Sequence, residues 1–388
     1  HVFPVDTGTS RWHYAASVDS RGHRPRVKGG SKHMSPSSLV GKAQTVLGPI
    51  DGAELGVTLS HEHLLFDGSP LFMEHAAASD RGKAHKPVDW DILSWLRYHP
   101  LENIDNLSLL DEDLAVRELM HFVAAGGQTV VEQSCIGLAR DPEGLRRISR
   151  LTGLNVIMGT GFYYYHPGWV TPAILAKSID EMAEEIVRDI TEGVGITGVK
   201  AGLIGEVGAT WPVHEFEERS IRAAVKAQKQ TGAPINIHPG RHPDGPGGAV
   251  RILLDAGADM TRVAISHIDG RLRTHESRVE LAKLGCYLEY DFFGYEGHYP
   301  IFPNSVPIDI PSDTERIYEI CALADAGYLD QVLISHDVAY KTKLVSYGGW
   351  GYAHISNYVV PMALKRGVSQ DLIDKLLIEN PRRFFSFV

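Results

Sequence analysis

Residues 199–238 read VKAGLIGEVGATWPVHEFEERSIRAAVKAQKQTGAPINIH, and the stretch holds a strand, a helix and a second strand. Val199–Glu206 is a short apolar run with an acid at its end, as a buried strand requires. Phe216, Ile221, Ala224, Val225 and Gln228 then keep one face of a helix, which Gly232 ends as a C-cap just before Pro234. Pro234–His238 is the next strand, with a histidine at its end.

The same alternation runs outward in both directions. Strands are expected at Val57–His63, Gln128–Gln133, Asn155–Gly161, Val263–His267, Cys286–Asp291 and Gln331–Asp337, besides the two above. Helical period follows at Asp111–Gly126, Pro142–Thr152, Ile179–Glu192, Gly248–Ala256, His275–Leu284, Thr314–Ala326 and Ser369–Leu377. Eight strand-then-helix units imply an α/β fold, a closed (β/α)8 TIM barrel, as a single domain over 34–388. Residues 64–110, with Pro70, Pro87, Trp90, Trp95 and Pro100, are too long for an ordinary connection. They are expected to form a packed insertion over one end of the barrel. Residues 1–33 lack apolar periodicity and end in His33-Met34, a dipeptide that cloning junctions leave, so they read as an added or disordered leader.

Composition narrows the function. The 388 residues are 22% charged and 43% hydrophobic, those of an ordinary globular protein. A net charge of −10 with no basic stripe speaks against nucleic acid, and no long apolar run spans a membrane. Cys135, Cys286 and Cys321 are an odd number and widely spaced, which fits a reducing compartment such as the cytoplasm.

The expected strand ends carry the chemistry. In Leu59-Ser60-His61-Glu62-His63, residues two apart share a side, so His61 and His63 converge while Glu62 faces away. Glu206, His238, His267 and Asp337 close four further strands. The gaps of 32, 29 and 70 residues between them read as one, one and two barrel units. A lone strand-end histidine is ordinarily a hydrogen-bonded core residue, and a buried Glu or Asp needs a cation, an Arg or several N–H donors. Six such groups on strands one, four, five, six and eight, all at the end where barrel enzymes build their sites, favour a metal centre.

The chain resembles the amidohydrolase superfamily, and within it the phosphotriesterase family, through His61-Glu62-His63, His238, His267 and Asp337. The likeness runs from about Gly41 to Phe387 and is nearest to the phosphotriesterase-related branch. It is carried by Thr45-Val-Leu-Gly, Leu59-Ser-His-Glu-His-Leu, Gly202-Leu-Ile-Gly-Glu-Val-Gly, Ile237-His-Pro-Gly-Arg, Cys286-Tyr-Leu-Glu-Tyr-Asp, Tyr347-Gly-Gly-Trp-Gly-Tyr and Leu377-Ile-Glu-Asn-Pro. The resemblance implies two divalent metal ions: His61, His63 and Asp337 on the more buried one, His238 and His267 on the other. Phosphotriesterases bridge their metals with a carboxylated lysine. Here Glu206 offers a carboxylate instead, because Lys200 has the same parity but lies some 20 Å away and is expected to pair with a carboxylate at the barrel bottom. Imidazole and carboxylate ligands suit zinc, with manganese, cobalt or iron as alternatives.

What the resemblance implies about activity is hydrolysis by a metal-bridging hydroxide, with Asp337 passing the proton to the leaving group. The substrate class implied is a small N-acyl amino acid such as N-acetyltaurine. A lactonase or phosphotriesterase would use the same site, and a non-catalytic metal-binding barrel stands as a different class of reading. Arg241, three residues after His238, is placed to meet an anionic head group, and Tyr163 follows strand three as a second substrate contact. Tyr347–Tyr352 is either a lid or a turn. A small-molecule substrate and a homodimer are the partners expected.

Overall fold

Residues 39–298 and 308–388 are described by the computed structural model, so the expected leader lies outside the described residues. Eight strands pair in parallel and in chain order: β1 (Thr58–Glu62), β2 (Thr129–Glu132), β3 (Asn155–Thr160), β4 (Leu203–Gly208), β5 (Ile235–His238), β6 (Val263–Ile265), β7 (Tyr287–Tyr290) and β8 (Val332–Ile334). The ring closes between β8 and β1. Ser60 Oγ donates to the Ile334 carbonyl (3.2 Å), and Asp337 N donates to the His61 carbonyl (3.1 Å). Every residue of these strands but Asn155 is buried, which is why these segments read as apolar runs rather than as alternation. The fold is the expected (β/α)8 barrel.

Helices α1 (Glu112–Ala124), α2 (Pro142–Thr152), α3 (Ile179–Thr191), α4 (Glu215–Thr231), α5 (Gly245–Ala256), α6 (His275–Ala282) and α7 (Asp313–Asp325) form the outer layer. Their starts are set by side-chain caps. Asp111 accepts from Leu114 N, while Ser178 and Ser312 complete capping boxes with Glu181 and Glu315. Gly232 ends α4 at φ 71°, as expected. Beyond β8, Ser369 caps a helical run that extends past Leu377 to Phe385. Two wide turns, Ile355–Val359 and Lys375–Glu379, stand just before Pro361 and Pro381, where a regular helix could not accommodate the ring.

One strand starts later than expected. Residues 193–202 form a turn in which Gly193, Gly195 and Gly198 take positive φ, so β4 begins at Leu203 and not Val199. Lys200 therefore precedes the strand. Among the described residues no carboxylate lies within ion-pair distance of it, contrary to the expected pairing.

The amino end of the barrel is plugged. Val131, Ile157, Leu203, Ala264, Tyr287 and Leu333 meet Ala43 of the hairpin Lys42–Thr45/Gly48–Asp51 and Phe384 and Phe385 of the last helix. Residues 64–110 fold at the other end. Phe66–Asp67 pairs with Ser108–Leu109, a helix spans Trp90–Leu96, and the segment is tied to the loop after β8 by Asp105 to Lys341 (2.5 Å) and Thr342 N to Asn106 (2.9 Å).

Candidate metal centre

All six expected ligands converge at the carboxyl end of the barrel. His63 Nε2 lies 3.5 Å from Glu206 Oε1 and 3.4 Å from Asp337 Oδ1, and His61 Nε2 lies 3.4 Å from Glu206 Oε2. Glu206 Oε2 is also 3.1 Å from His238 Nδ1 and 3.7 Å from His267 Nε2. Glu206 thus turns Oε1 to His63 and Oε2 to His61, His238 and His267, so it stands between all four histidines. A register shift in β4 between Ile204 and Val207 separates it from the inward phase of Leu203. His63, His267 and Asp337 sit just past their strands, and His267 and Asp337 take left-handed backbone (φ 58° and 49°) that costs non-glycine residues about 1 kcal/mol or more. That backbone turns the chain at the rim, where the rings and carboxylates gather.

Three of the four histidines are held from behind. His61 Nδ1 meets Glu289 Oε2 (3.1 Å) and Asp291 Oδ2 (3.3 Å), His63 Nδ1 meets Ser134 Oγ (2.9 Å), and His267 Nδ1 meets Asp291 Oδ1 (2.8 Å). Anchoring Nδ1–H on an acceptor leaves the Nε2 lone pair facing inward, the arrangement that a metal-binding imidazole needs. His61 Nε2 and His238 Nε2 are buried without a hydrogen-bond partner. Donors of this kind, with no thiolate among them, fit divalent cations: His61, His63 and Asp337 form one group whose ligand atoms lie within 4.8 Å of one another, and His61, Glu206 and His267 another.

Electrostatics favour the same fit. Burial alone would push His61 and His63 down, yet Glu206 with Asp291 and Glu289 raises His61 to about 9, and Asp337 with Glu206 raises His63 to about 10. Burial and neighbouring His267 carry His238 the other way, to about 3, against the pull of Glu206. Burial would raise Asp337 and Glu206, but Lys343 and His63 hold the first below the ordinary carboxylate range, and His238 and His61 the second. Asp291 is lifted by burial to about 6, against the opposing pull of His267. Protons drawn onto His61 and His63 answer a demand for positive charge that a cation meets better.

Several supporting residues were not singled out in the sequence. Glu289 also accepts from Asn236 (2.6 Å) and Ser266 (3.0 Å), and Tyr352 donates to the His63 carbonyl (2.7 Å). Glu62 faces outward, as expected, where it accepts from Ser335 Oγ, His336 N and Val338 N and so pins the end of β8 to β1. The motif Cys286-Tyr-Leu-Glu-Tyr-Asp held the signal for Glu289 and Asp291, acids two apart on one strand face. Lys343 carried none, because only the loop after β8 brings it to Asp337 (Nζ to Oδ2 3.7 Å).

The two expected substrate contacts stand near His238. Tyr163 Oη is 3.3 Å from His238 Nδ1, and the Arg241 guanidinium lies 5.3 Å from the Tyr164 ring. The glycine-rich stretch after β8 forms a turn, in which Gly349 N donates to the Leu344 carbonyl (2.9 Å) and Gly351 N to the Lys343 carbonyl (2.8 Å), and Val345 N and Ser346 N just before it donate to Glu118 (2.8 Å each). A further histidine group, His75 and His99 with Glu102, sits in the insertion. There His75 Nδ1 accepts from Ala77 N (3.0 Å), so its proton is on the nitrogen facing Glu102, and the group reads as a polar clamp.

Residues 41–385 match the phosphotriesterase family. A phosphotriesterase-related protein of Nematostella vectensis is 41% identical over 350 residues, 89% of this chain and 99% of its own. An N-acetyltaurine hydrolase of Tetraodon nigroviridis is 40% identical over 352 residues, 90% of this chain and 99% of its own. Among solved structures, a resiniferatoxin-binding protein from Rhodobacter sphaeroides superposes with a TM-score of 0.84 at 36% identity, covering 91% of this chain and 98% of that one.

Proposed function

The chain belongs to the phosphotriesterase family, and from that premise we propose that it is a binuclear metal-dependent hydrolase of a small N-acylated acid, N-acetyltaurine first. The observation that carries the two-metal reading is the central place of Glu206, whose Oε1 faces His63 and whose Oε2 faces His61, His238 and His267, more imidazoles than one cation beside Asp337 would need. His61, His63 and Asp337 would hold one cation, His238 and His267 the other, and Glu206 both. Zinc suits this donor set best. Such a pair, when bound, supplies a water acidic enough to attack near neutral pH and an electrophile for the amide carbonyl.

The chain's own residues account for the rest. Asp337, kept ionised by Lys343 and His63, accepts the proton of the attacking water at a carboxylate oxygen. It then delivers that proton to the amide nitrogen as the C–N bond breaks, giving a carboxylic acid and a free amine. An amine is a poor leaving group unless protonated, so this transfer is the step that separates an amidase from a site that only binds. The Tyr163 hydroxyl, beside His238, is placed to hydrogen-bond the carbonyl oxygen, and Arg241 flanks the same side. Glu206 and His267 are nearly closed to solvent, so their charges act without bulk screening. With its three cysteines free and two of them buried, the protein suits reducing surroundings, and we place it in the cytoplasm.

Metal analysis of the purified protein, paired with a hydrolysis screen of N-acetyltaurine, N-acyl amino acids, lactones and paraoxon, tests the reading. About two metal equivalents and release of amine from the N-acyl acids are expected. Turnover of only the lactones or paraoxon overturns the amide assignment, and bound metal with no turnover at all overturns the enzyme.

A further inference from the structure

We propose that Lys343 reads the acidic group of the substrate, within a cavity between the insertion and the loops that follow β7 and β8. The proposal rests on the amide-hydrolase reading for what that acid is attached to. The cavity holds about 310 Å³ and is lined by Arg97 and Tyr98 from the insertion, Tyr295 after β7, and Tyr340, Lys343 and Trp350 after β8. Lys343 belongs to the cavity wall and to the metal-ligand cluster at once.

The Lys343 side chain is only 5% exposed, where a weakly paired charge is costly. Its hydrogen bond goes to the Asp337 carbonyl, while the Asp337 carboxylate turns Oδ1 to His63 and leaves Oδ2 3.7 Å from Nζ, beyond hydrogen-bond reach. The rings of Tyr340, Tyr295 and Phe292 stand 5.1, 5.4 and 5.9 Å from Nζ, which favours a cation there without neutralising it. Asp337 is the anionic partner of Lys343, and a cation held by Asp337 would draw on that same carboxylate and leave Lys343 able to take a second anion. Glu296, a carboxylate in the cavity wall, is engaged by Asp313 N at 3.0 Å. Arg97 at the exposed rim adds a second positive charge.

Reach agrees with this. To protonate the leaving nitrogen, Asp337 must lie about 3 Å from it. The oxygen of an acid two carbons beyond that nitrogen lies four bonds of about 1.5 Å away, and one charge-assisted hydrogen bond of about 2.8 Å then meets an ammonium placed where Nζ stands beside Asp337. A 2-aminoethanesulfonate or a β-amino carboxylate has this length. Arg241, on the loop after β5 and so three strands round the ring from β8, is left to the acyl side.

The test uses the metal-loaded enzyme and two amides, N-acetyltaurine and the neutral N-propylacetamide, together with calorimetric binding of propane-1-sulfonate. Lys343→Met is expected to lower the ratio of kcat/KM for the acid over the neutral amide by about 30-fold or more, and to weaken propane-1-sulfonate by a similar factor. Lys343→Arg restores most of both. Equal loss on both amides would make Lys343 only a positioning residue for Asp337 and overturns the proposal, as does a ratio that falls in Arg241→Met instead. If Lys343→Met does not fold, Arg97→Glu at the exposed rim decides: sulfonate binding weakened severalfold supports the cavity, and unchanged binding rejects it. Wild type that binds propane-1-sulfonate through Lys343 yet hydrolyses no amide keeps this inference while the hydrolase reading fails. Wild type that cleaves N-acetyltaurine with the ratio untouched by Lys343→Met does the reverse.

Discussion

The two ends of the barrel interior are both largely buried and chemically opposite. β7 sends Tyr287 to the floor and Glu289, with Asp291 beyond it, to the top; β8 sends Leu333 to the floor and is followed by Ser335 and Asp337. Side chains two apart on one strand share a face and stand about 7 Å apart, so the interior passes from hydrocarbon to carboxylate within one such step. Lack of solvent is common to both ends; what differs is the partner each side chain finds. The floor gains free energy from buried apolar area. The top holds Glu206, Glu289, Asp291 and Asp337 around four histidines, an arrangement that is costly unless positive charge is supplied. Folding can therefore be anchored at one end while the other is kept for chemistry.

Substitutions at each end should separate these roles. The largest effect is expected from Asp337→Asn, which keeps the size of the side chain and removes the proton acceptor. Turnover should fall by about a thousandfold with substrate binding much less affected, measured as kcat and KM on whichever amide the screen identifies. Near-normal turnover refutes the role given to Asp337. Phe384→Ala at the floor should instead cost about 3–5 kcal/mol in chemical denaturation while kcat per folded molecule stays close to wild type. A large loss of turnover in the folded fraction would mean that the ends are not separable.

Asp291→Asn lies between the two, since it touches His267 and His61 but belongs to neither cation group with Glu206 or Asp337. Metal affinity should drop about 10- to 100-fold in a chelator competition; unchanged affinity would show that the rings orient themselves without it. The gentlest change, spread over more than three pH units, is expected in the metal-free protein. Protonated His61 and His63, raised to about 9 and about 10, contribute stability that is fully present below the unfolded value of about 6.5. That contribution is lost as pH climbs through the folded values, so urea midpoints should decline over this range. Metal-loaded protein should lack the decline, because ligation already requires neutral rings. A metal-free profile that is flat between pH 7 and 10 contradicts the assigned charge.

The six candidate ligands were legible because each lies at or just past the end of a strand and because the βα repeat sets their spacing. The helix positions were legible from their apolar period, and the structure sets three of their starts by the caps Asp111, Ser178 and Ser312. The start of β4 was not: Val199 to Ala201 look like strand residues, and only the turn through Gly193–Gly198 takes them out of the sheet. The anchors behind the histidines were missed for a different reason. His61 and Glu289 are 228 residues apart, and Lys343 meets Asp337 only through a loop whose path is fixed by Asp105, Asn106 and Glu118.

The sequence alone determined the barrel and the six side chains at its mouth, since apolar runs, caps and spacing are local and periodic, and a strand's end is the same place in every βα unit. The tertiary structure decided how Glu206 divides its oxygens, which nitrogen each histidine turns inward, and that Lys343 joins Asp337 to a cavity built by the insertion. Those outcomes depend on distances between segments hundreds of residues apart. They are set by closure of the ring and packing of the loops, and no window of sequence contains them.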